Sequence, residues 1–164
     1  LWAPTFRGKP GVASVYGLDD VLKAQEELKD THYFIIKLHP HTQVHTEGTN
    51  CDIPSEELLP VADIVITDYS SILFDAMIYQ LPLVLFAPDL EEYLASRGFY
   101  LDYRTLPGIH IQKEEQLVKV LSDEARLNSS VNQKYHDFFQ DYMAACDGHA
   151  TRRIMNYVSK SPNK

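Results

Sequence analysis

Phosphate or proton chemistry could be carried at four places in this sequence. TDYSS, Thr67 to Ser71, leaves an apolar run through hydroxyls and then re-enters helical periodicity, so a strand ends and a helix begins there. Free backbone N–H groups gather at such a start and the dipole end is positive, which makes an anion the natural occupant. Ser70 and Ser71 are small enough to let phosphate oxygens approach, and they add donors of their own. The competing reading of Ser70 is an ordinary helix N-cap. Asp75, one turn inside the helix, is either a solvated surface acid or a carboxylate over the same crevice, with a ribose diol as partner.

His39, in KLHPH, follows another apolar run. An imidazole there can donate to a phosphate or accept a proton near neutral pH, and the proline beside it fixes the exit of the loop. His41 and His45 compete with it for a role. No acid or cysteine completes a ligand pattern around the three, so no metal is expected. Arg97, in SRGFY, ends a helix, where it either complements the negative dipole end or clamps a diphosphate. Arg7, after APTF, is ambiguous in the same way between a surface charge and a phosphate contact.

The elements that must position these residues alternate. Apolar strands are expected at 1–6, 33–38, 63–67 and 81–86, with helices at 18–30, 55–62 (opened by Ser55), 70–79, 89–98 and 113–123. One or two further helices span 129–159, interrupted near Asp147-Gly148. RGKPGVASVYG (7–17) and HPHTQVHTEGTN (39–50) read as loops, and Gly98 stands where a left-handed helix end favours glycine. Strands apolar on both sides, alternating with helices, indicate a doubly wound parallel α/β sheet. Such sheets take ligands at the carboxyl ends of their strands, where Arg7, His39 and Thr67 to Ser71 all stand.

The 164 residues suit one domain, 1–164. A formal charge of −8 argues against general affinity for nucleic acid or anionic lipid, and no apolar run is long enough for a membrane span. Cys51 and Cys146 have no metal-ligand spacing and read as reduced thiols of a cytosolic protein. A start at Leu1, already in strand-like sequence, reads as a piece of a longer protein.

APTFR (3–7), KLHP (37–40), ADIVITDYSSILFD (62–75), DLEEY (89–93), RGFYLDY (97–103) and DGHATRRI (147–154) together resemble the carboxyl-terminal half of the CDP-glycerol glycerophosphotransferases of bacterial teichoic acid synthesis. The likeness runs in consistent order from about residue 2 to residue 155. It implies the Rossmann-like donor lobe of a two-lobed glycosyltransferase-B fold, with the 147–160 helix packing toward the missing lobe. Carried over by position, Thr67, Ser70 and Ser71 are donor-phosphate residues, Asp75 the ribose acid, His39 the catalytic histidine of an HP motif, Arg97 a phosphate ligand and Arg7 a weaker one.

The implied reaction transfers glycerol phosphate or ribitol phosphate from CDP-glycerol or CDP-ribitol to a lipid-linked polymer, releasing CMP at the cytoplasmic membrane face. No cofactor is implied, metal dependence is left undetermined, and homo-oligomer formation is left open. A histidine of the family's amino-terminal lobe has no counterpart in this sequence, so these residues are expected to bind donor without turning it over. The rival readings are a non-catalytic nucleotide-binding module and a UDP-sugar transferase or epimerase lobe of the same fold.

Overall fold

Apolar residues at alternating positions of three short strands face opposite ways, and helices cover both sides. The computed structural model describes residues 1–9, 13–42 and 51–160. Its elements are α1 (Leu18–Glu27), α2 (Ser55–Leu58), β1 (Val65–Thr67), α3 (Ile72–Ile78), β2 (Leu83–Phe86), α4 (Leu90–Ser96), β3 (Ile109–Ile111), α5 (Glu114–Leu121), α6 (Glu124–Ser130), α7 (Gln133–Met143) and α8 (Ala150–Lys160). Single 3-10 turns lie at Leu59–Val61 and Tyr103–Thr105.

β1, β2 and β3 form a parallel sheet in that order, with Val65 opposite Leu83 and Val84 opposite Ile109. The strands expected at 1–6 and 33–38 extend it through single parallel bridges, Trp2 to Ile66 and Trp2 to Ile36. Backbone hydrogen bonds from Ala3 N to Ile66 O and from Lys37 N to Trp2 O hold these segments in place. The spatial order is therefore 33–38, 1–3, β1, β2, β3. It reverses direction between the segment at 1–3 and β1, the position at whose carboxyl ends sheets of this class take ligands.

One face buries Trp2, Ile66, Val84, Phe86 and Ile109 beneath α1, α5 and α6. The other buries Val65, Leu83 and Leu85 beneath α3, α4 and α7, where Ala76, Met77, Leu90 and Tyr135 pack. The doubly wound α/β class expected from the sequence is the one observed. Entry into α1 needs a glycine: Gly17 has φ 77°, and a Cβ there would lie 2.7 Å from the Phe86 ring.

Several boundaries differ from expectation. Ser55 is the first residue of α2 rather than its cap; Pro54 precedes it and no side chain caps the helix. α6 was not foreseen as a separate helix. Its signal is Asp123, whose carboxylate accepts from the Arg126 N–H as an N-cap. α3 is only seven residues long and begins at Ile72, so Ser71 rather than Ser70 is the N-cap residue. Gly98, with φ 68°, stands just past the end of α4 as expected, and Gly148 falls in the break before α8.

Candidate functional site

At the reversal of strand order the chain leaves the sheet through Thr5-Phe6-Arg7 on one side and Asp68-Tyr69-Ser70 on the other. Arg7 joins them. Its Nη2 donates to Asp68 Oδ2 at 2.9 Å and to Asp89 Oδ1 at 3.0 Å, and its Nε donates to Asp89 Oδ2 at 2.7 Å. Nη1 donates to the Thr5 carbonyl. All three side chains are largely buried. Asp68 is completed by the N–H groups of Thr5 and Tyr69, at 2.7 and 2.6 Å, and the Tyr69 hydroxyl donates to Asp89 at 2.9 Å.

The electrostatics follow from this packing. Burial would lower the ionisation of Arg7, but hydrogen bonds and charges from Asp89 and Asp68 outweigh it and hold the guanidinium more firmly charged than usual. Burial pushes the Asp89 carboxyl up, yet the bonds it accepts from Arg7 and Tyr69 leave it below the ordinary carboxylate range. At Asp68 burial prevails over the pull of Arg7 and the Thr5 N–H, and the carboxyl is raised. Burial and the neighbouring Asp89 also push the Tyr69 phenol up, so it stays a neutral donor.

Two of the carried-over residues are engaged inside the fold. Arg7, read as either a surface charge or a phosphate contact, is neither a free surface charge nor unpartnered, since four of its five N–H donors go to two carboxylates and a carbonyl. Thr67 is fully buried and donates to the Ala3 carbonyl at 2.7 Å, bonding the two central ribbons together. Asp68, Asp89 and Tyr69 were missed as partners of Arg7. The signal was present: two acids and one arginine at the carboxyl ends of neighbouring strands in a protein that must bury that edge.

Around this ion pair runs an aromatic rail. Tyr69 stacks on Tyr93 with centroids 3.8 Å apart, and Phe99 and Tyr103 pack behind them. Arg97 lies between two rings, its Cζ 5.6 Å from the Tyr93 centroid and 5.7 Å from that of Phe6. It is exposed, and among the described residues its hydrogen bond is a long one, 3.4 Å, to the Gly8 carbonyl. Its donors are thus available to an anion.

His39 packs on the Phe6 ring at 4.6 Å between centroids, with His41 4.8 Å away. The His41 N–H donates to His39 Nδ1 at 3.1 Å. Burial, and then the proximity of His41, hold His39 below the ordinary imidazole range, so it is neutral at pH 7. With Nδ1 accepting, the ring proton is on Nε2, and His39 presents a donor. His45 lies outside the described residues. Among the described residues no cluster of three histidines, cysteines or acids could hold a metal ion.

The serines divide their labour. Ser70 Oγ accepts from the Ile72 N–H at 3.3 Å, while the N–H groups of Leu73 and Phe74 reach the carbonyls of Ser70 and Ser71. The Ser70 hydroxyl therefore satisfies the first helical N–H from the position before the N-cap residue Ser71. The Ser71 hydroxyl makes no cap bond and is exposed. Asp75 is exposed too, four residues on and hence on the same helical face as Ser71.

Comparison with known proteins then places the chain. Residues 1–160 match the model of the CDP-Glycerol:Poly(glycerophosphate) glycerophosphotransferase family. The chain belongs to this family.

Within it, this glycerophosphotransferase-family chain is 30% identical to the teichoic acid poly(ribitol-phosphate) polymerase of Bacillus spizizenii, over 96% of its own length and 27% of the relative's. It is 27% identical to the teichoic acid glycerol-phosphate primase of the same organism, over 99% of its length and 44% of the relative's. The solved wall teichoic acid polymerase TagF superposes with a TM-score of 0.78 at 26% identity, over 97% of this chain and 42% of TagF. A TagF variant soaked with CDPG aligns with a TM-score of 0.77. The chain thus spans less than half the length of the relatives it matches. No described helix is long and apolar enough to cross a membrane.

Proposed function

We propose that these residues hold the nucleotide donor, CDP-glycerol or CDP-ribitol, of a transferase that adds alditol phosphate to a teichoic acid or capsule polymer and releases CMP. The observation that carries this reading is the contrast at the carboxyl edge. A cation with free donors, Arg97, and an Nε2–H donor, His39, lean on one ring beside the switch point, while the Ser71 hydroxyl and Asp75 share an exposed helical face. In this reading the Ser71 hydroxyl and Arg97 take the diphosphate. Ser70 contributes through its backbone, and Asp75 takes the ribose diol.

In the reaction the acceptor hydroxyl oxygen attacks the alditol-side phosphorus, its proton passes to water or to a base of the second lobe, and the bond from that phosphorus to the CMP oxygen breaks. Charge grows on the departing CMP phosphate. Arg97 and the Nε2–H of His39 are the groups suited to meet it. His39 serves here as a donor and not as the base, because its Nδ1 lone pair is occupied and Nε2 bears the proton.

The relatives' greater length supports a second lobe carrying the acceptor side, a lipid-linked polymer at the cytoplasmic membrane face. α8, which buries none of its residues against the rest of the chain, would pack toward that lobe.

Titration calorimetry of the 164-residue chain tests the donor reading. CDP-glycerol or CMP should bind and UDP-N-acetylglucosamine should not. Arg97→Ala should weaken CMP binding about 10-fold or more, and Ser71→Ala a few-fold, from the loss of charge-assisted and neutral hydrogen bonds respectively. Preferential binding of the UDP-sugar would move the chain to the hexose-transferase or epimerase reading. Polymerisation by the 164 residues alone would show that the second lobe is dispensable.

A further inference from the structure

The ring of Phe6 is the contact shared by His39 and Arg97, and both flanks of Phe6 are locked. On one side the Thr5 N–H donates to Asp68 at 2.7 Å. On the other, Arg7 exchanges two backbone bonds with Ser14, at 2.8 and 3.0 Å, while its guanidinium is held by Asp68 and Asp89. A half-buried ring thus projects from a backbone that cannot easily move. His39 and Arg97, by contrast, are exposed side chains with few bonds of their own.

Arg97 is a cation and His39 a neutral Nε2–H donor, so an anion is the ligand that both can bind at once. A phenyl face attracts a guanidinium and packs an imidazole, and it offers no hydrogen bond that would compete with a ligand for their N–H groups. His41 approaches the same ring edge-on at 5.6 Å and supplies the N–H that fixes the His39 tautomer. Phe6 therefore sets the position of both side chains while leaving their donors free.

We propose that Phe6 is a positioning residue that holds His39 and Arg97 on one ring so that both address the same phosphate group. The proposal deepens the donor-site reading above and rests on it for the identity of the anion. Phe6 itself touches no reacting atom.

The test has two arms, chosen so that each hypothesis fails separately. In the ligand-free chain, NMR should show ring-current shifts on the His39 ring protons and the Arg97 side-chain protons that are lost in Phe6→Leu and kept in Phe6→Tyr. By calorimetry, Phe6→Leu should weaken CMP binding about 10-fold and Phe6→Tyr by less than about twofold. In an Arg97→Ala background the further loss on Phe6→Leu should shrink to about twofold, because the ring then has one fewer group to place.

Unchanged His39 and Arg97 shifts in Phe6→Leu overturn the role of Phe6, as does full additivity with Arg97→Ala. Absence of CMP binding to the wild-type chain overturns the donor reading, and with it the claim that the two groups share a phosphate. Should Phe6→Leu fold poorly, the cycle of His39→Gln with Arg97→Ala at intact Phe6 decides. Non-additive losses of CMP affinity support the proposal, and independent losses overturn it.

Discussion

Arg7 and Arg97 lie against the same Tyr93 ring, 5.0 and 5.6 Å from its centroid, yet their surroundings assign them opposite work. Arg7 is largely buried and heavily bonded: two carboxylates and a carbonyl take four of its five N–H donors, and its charge holds three segments together. Arg97 is exposed and, among the described residues, has one long hydrogen bond and is oriented by rings instead of by acids. A guanidinium becomes a structural tie or a ligand-binding group according to whether the fold gives it a carboxylate. The position of an arginine just past a strand or a helix does not by itself say which.

The sharpest way to break this comparison is to exchange the losses. Arg7→Met leaves Asp68 and Asp89 buried without a counter-charge, and should cost about 3–5 kcal/mol of stability, as breaking a buried pair does. Thermal melting of that variant beside Arg97→Ala checks it: the first should fall by many degrees, the second should barely move. Equal melting temperatures would mean that Arg7 is not the tie described.

A smaller effect is expected at Thr67. Thr67→Val removes the bond to the Ala3 carbonyl and should cost about 1 kcal/mol by denaturant unfolding, with CMP affinity unchanged. Altered affinity in that variant would return Thr67 to the ligand site.

The smallest effect concerns acid. The Asp89 carboxyl lies below its unfolded value, so its contribution is fully present above that value and is lost as pH falls through the folded one. Melting temperature should hold between pH 7 and 5 and decline below about pH 4. Asp68, raised by burial, contributes with the opposite sign, so Asp89→Asn is the variant that should make the acid decline shallower.

How much of this was legible in the sequence depended on the physics involved. Continuous apolar runs revealed the sheet and its class, because a strand buried on both faces has no other way to be written. The strands at 1–6 and 33–38 shrank to single bridges at Trp2 and Ile36, since ladder length depends on neighbours that periodicity does not register. The exposed candidates His39, Ser71, Asp75 and Arg97 were suggested by position and singled out by the family resemblance. The partners Asp68, Asp89, Tyr69 and Phe6 were not, because pairing across 61 and 82 residues is a tertiary event.

One consequence of the Arg7 network concerns timing. Since Thr5, Asp68 and Asp89 are already fastened to one another through Arg7, the carboxyl edge is preformed, and little chain entropy would remain to be lost there on binding a ligand. Under the donor reading proposed above, discrimination between one alditol donor and another would fall to the unfastened rim, where a single side chain can change without loosening the ground beneath it.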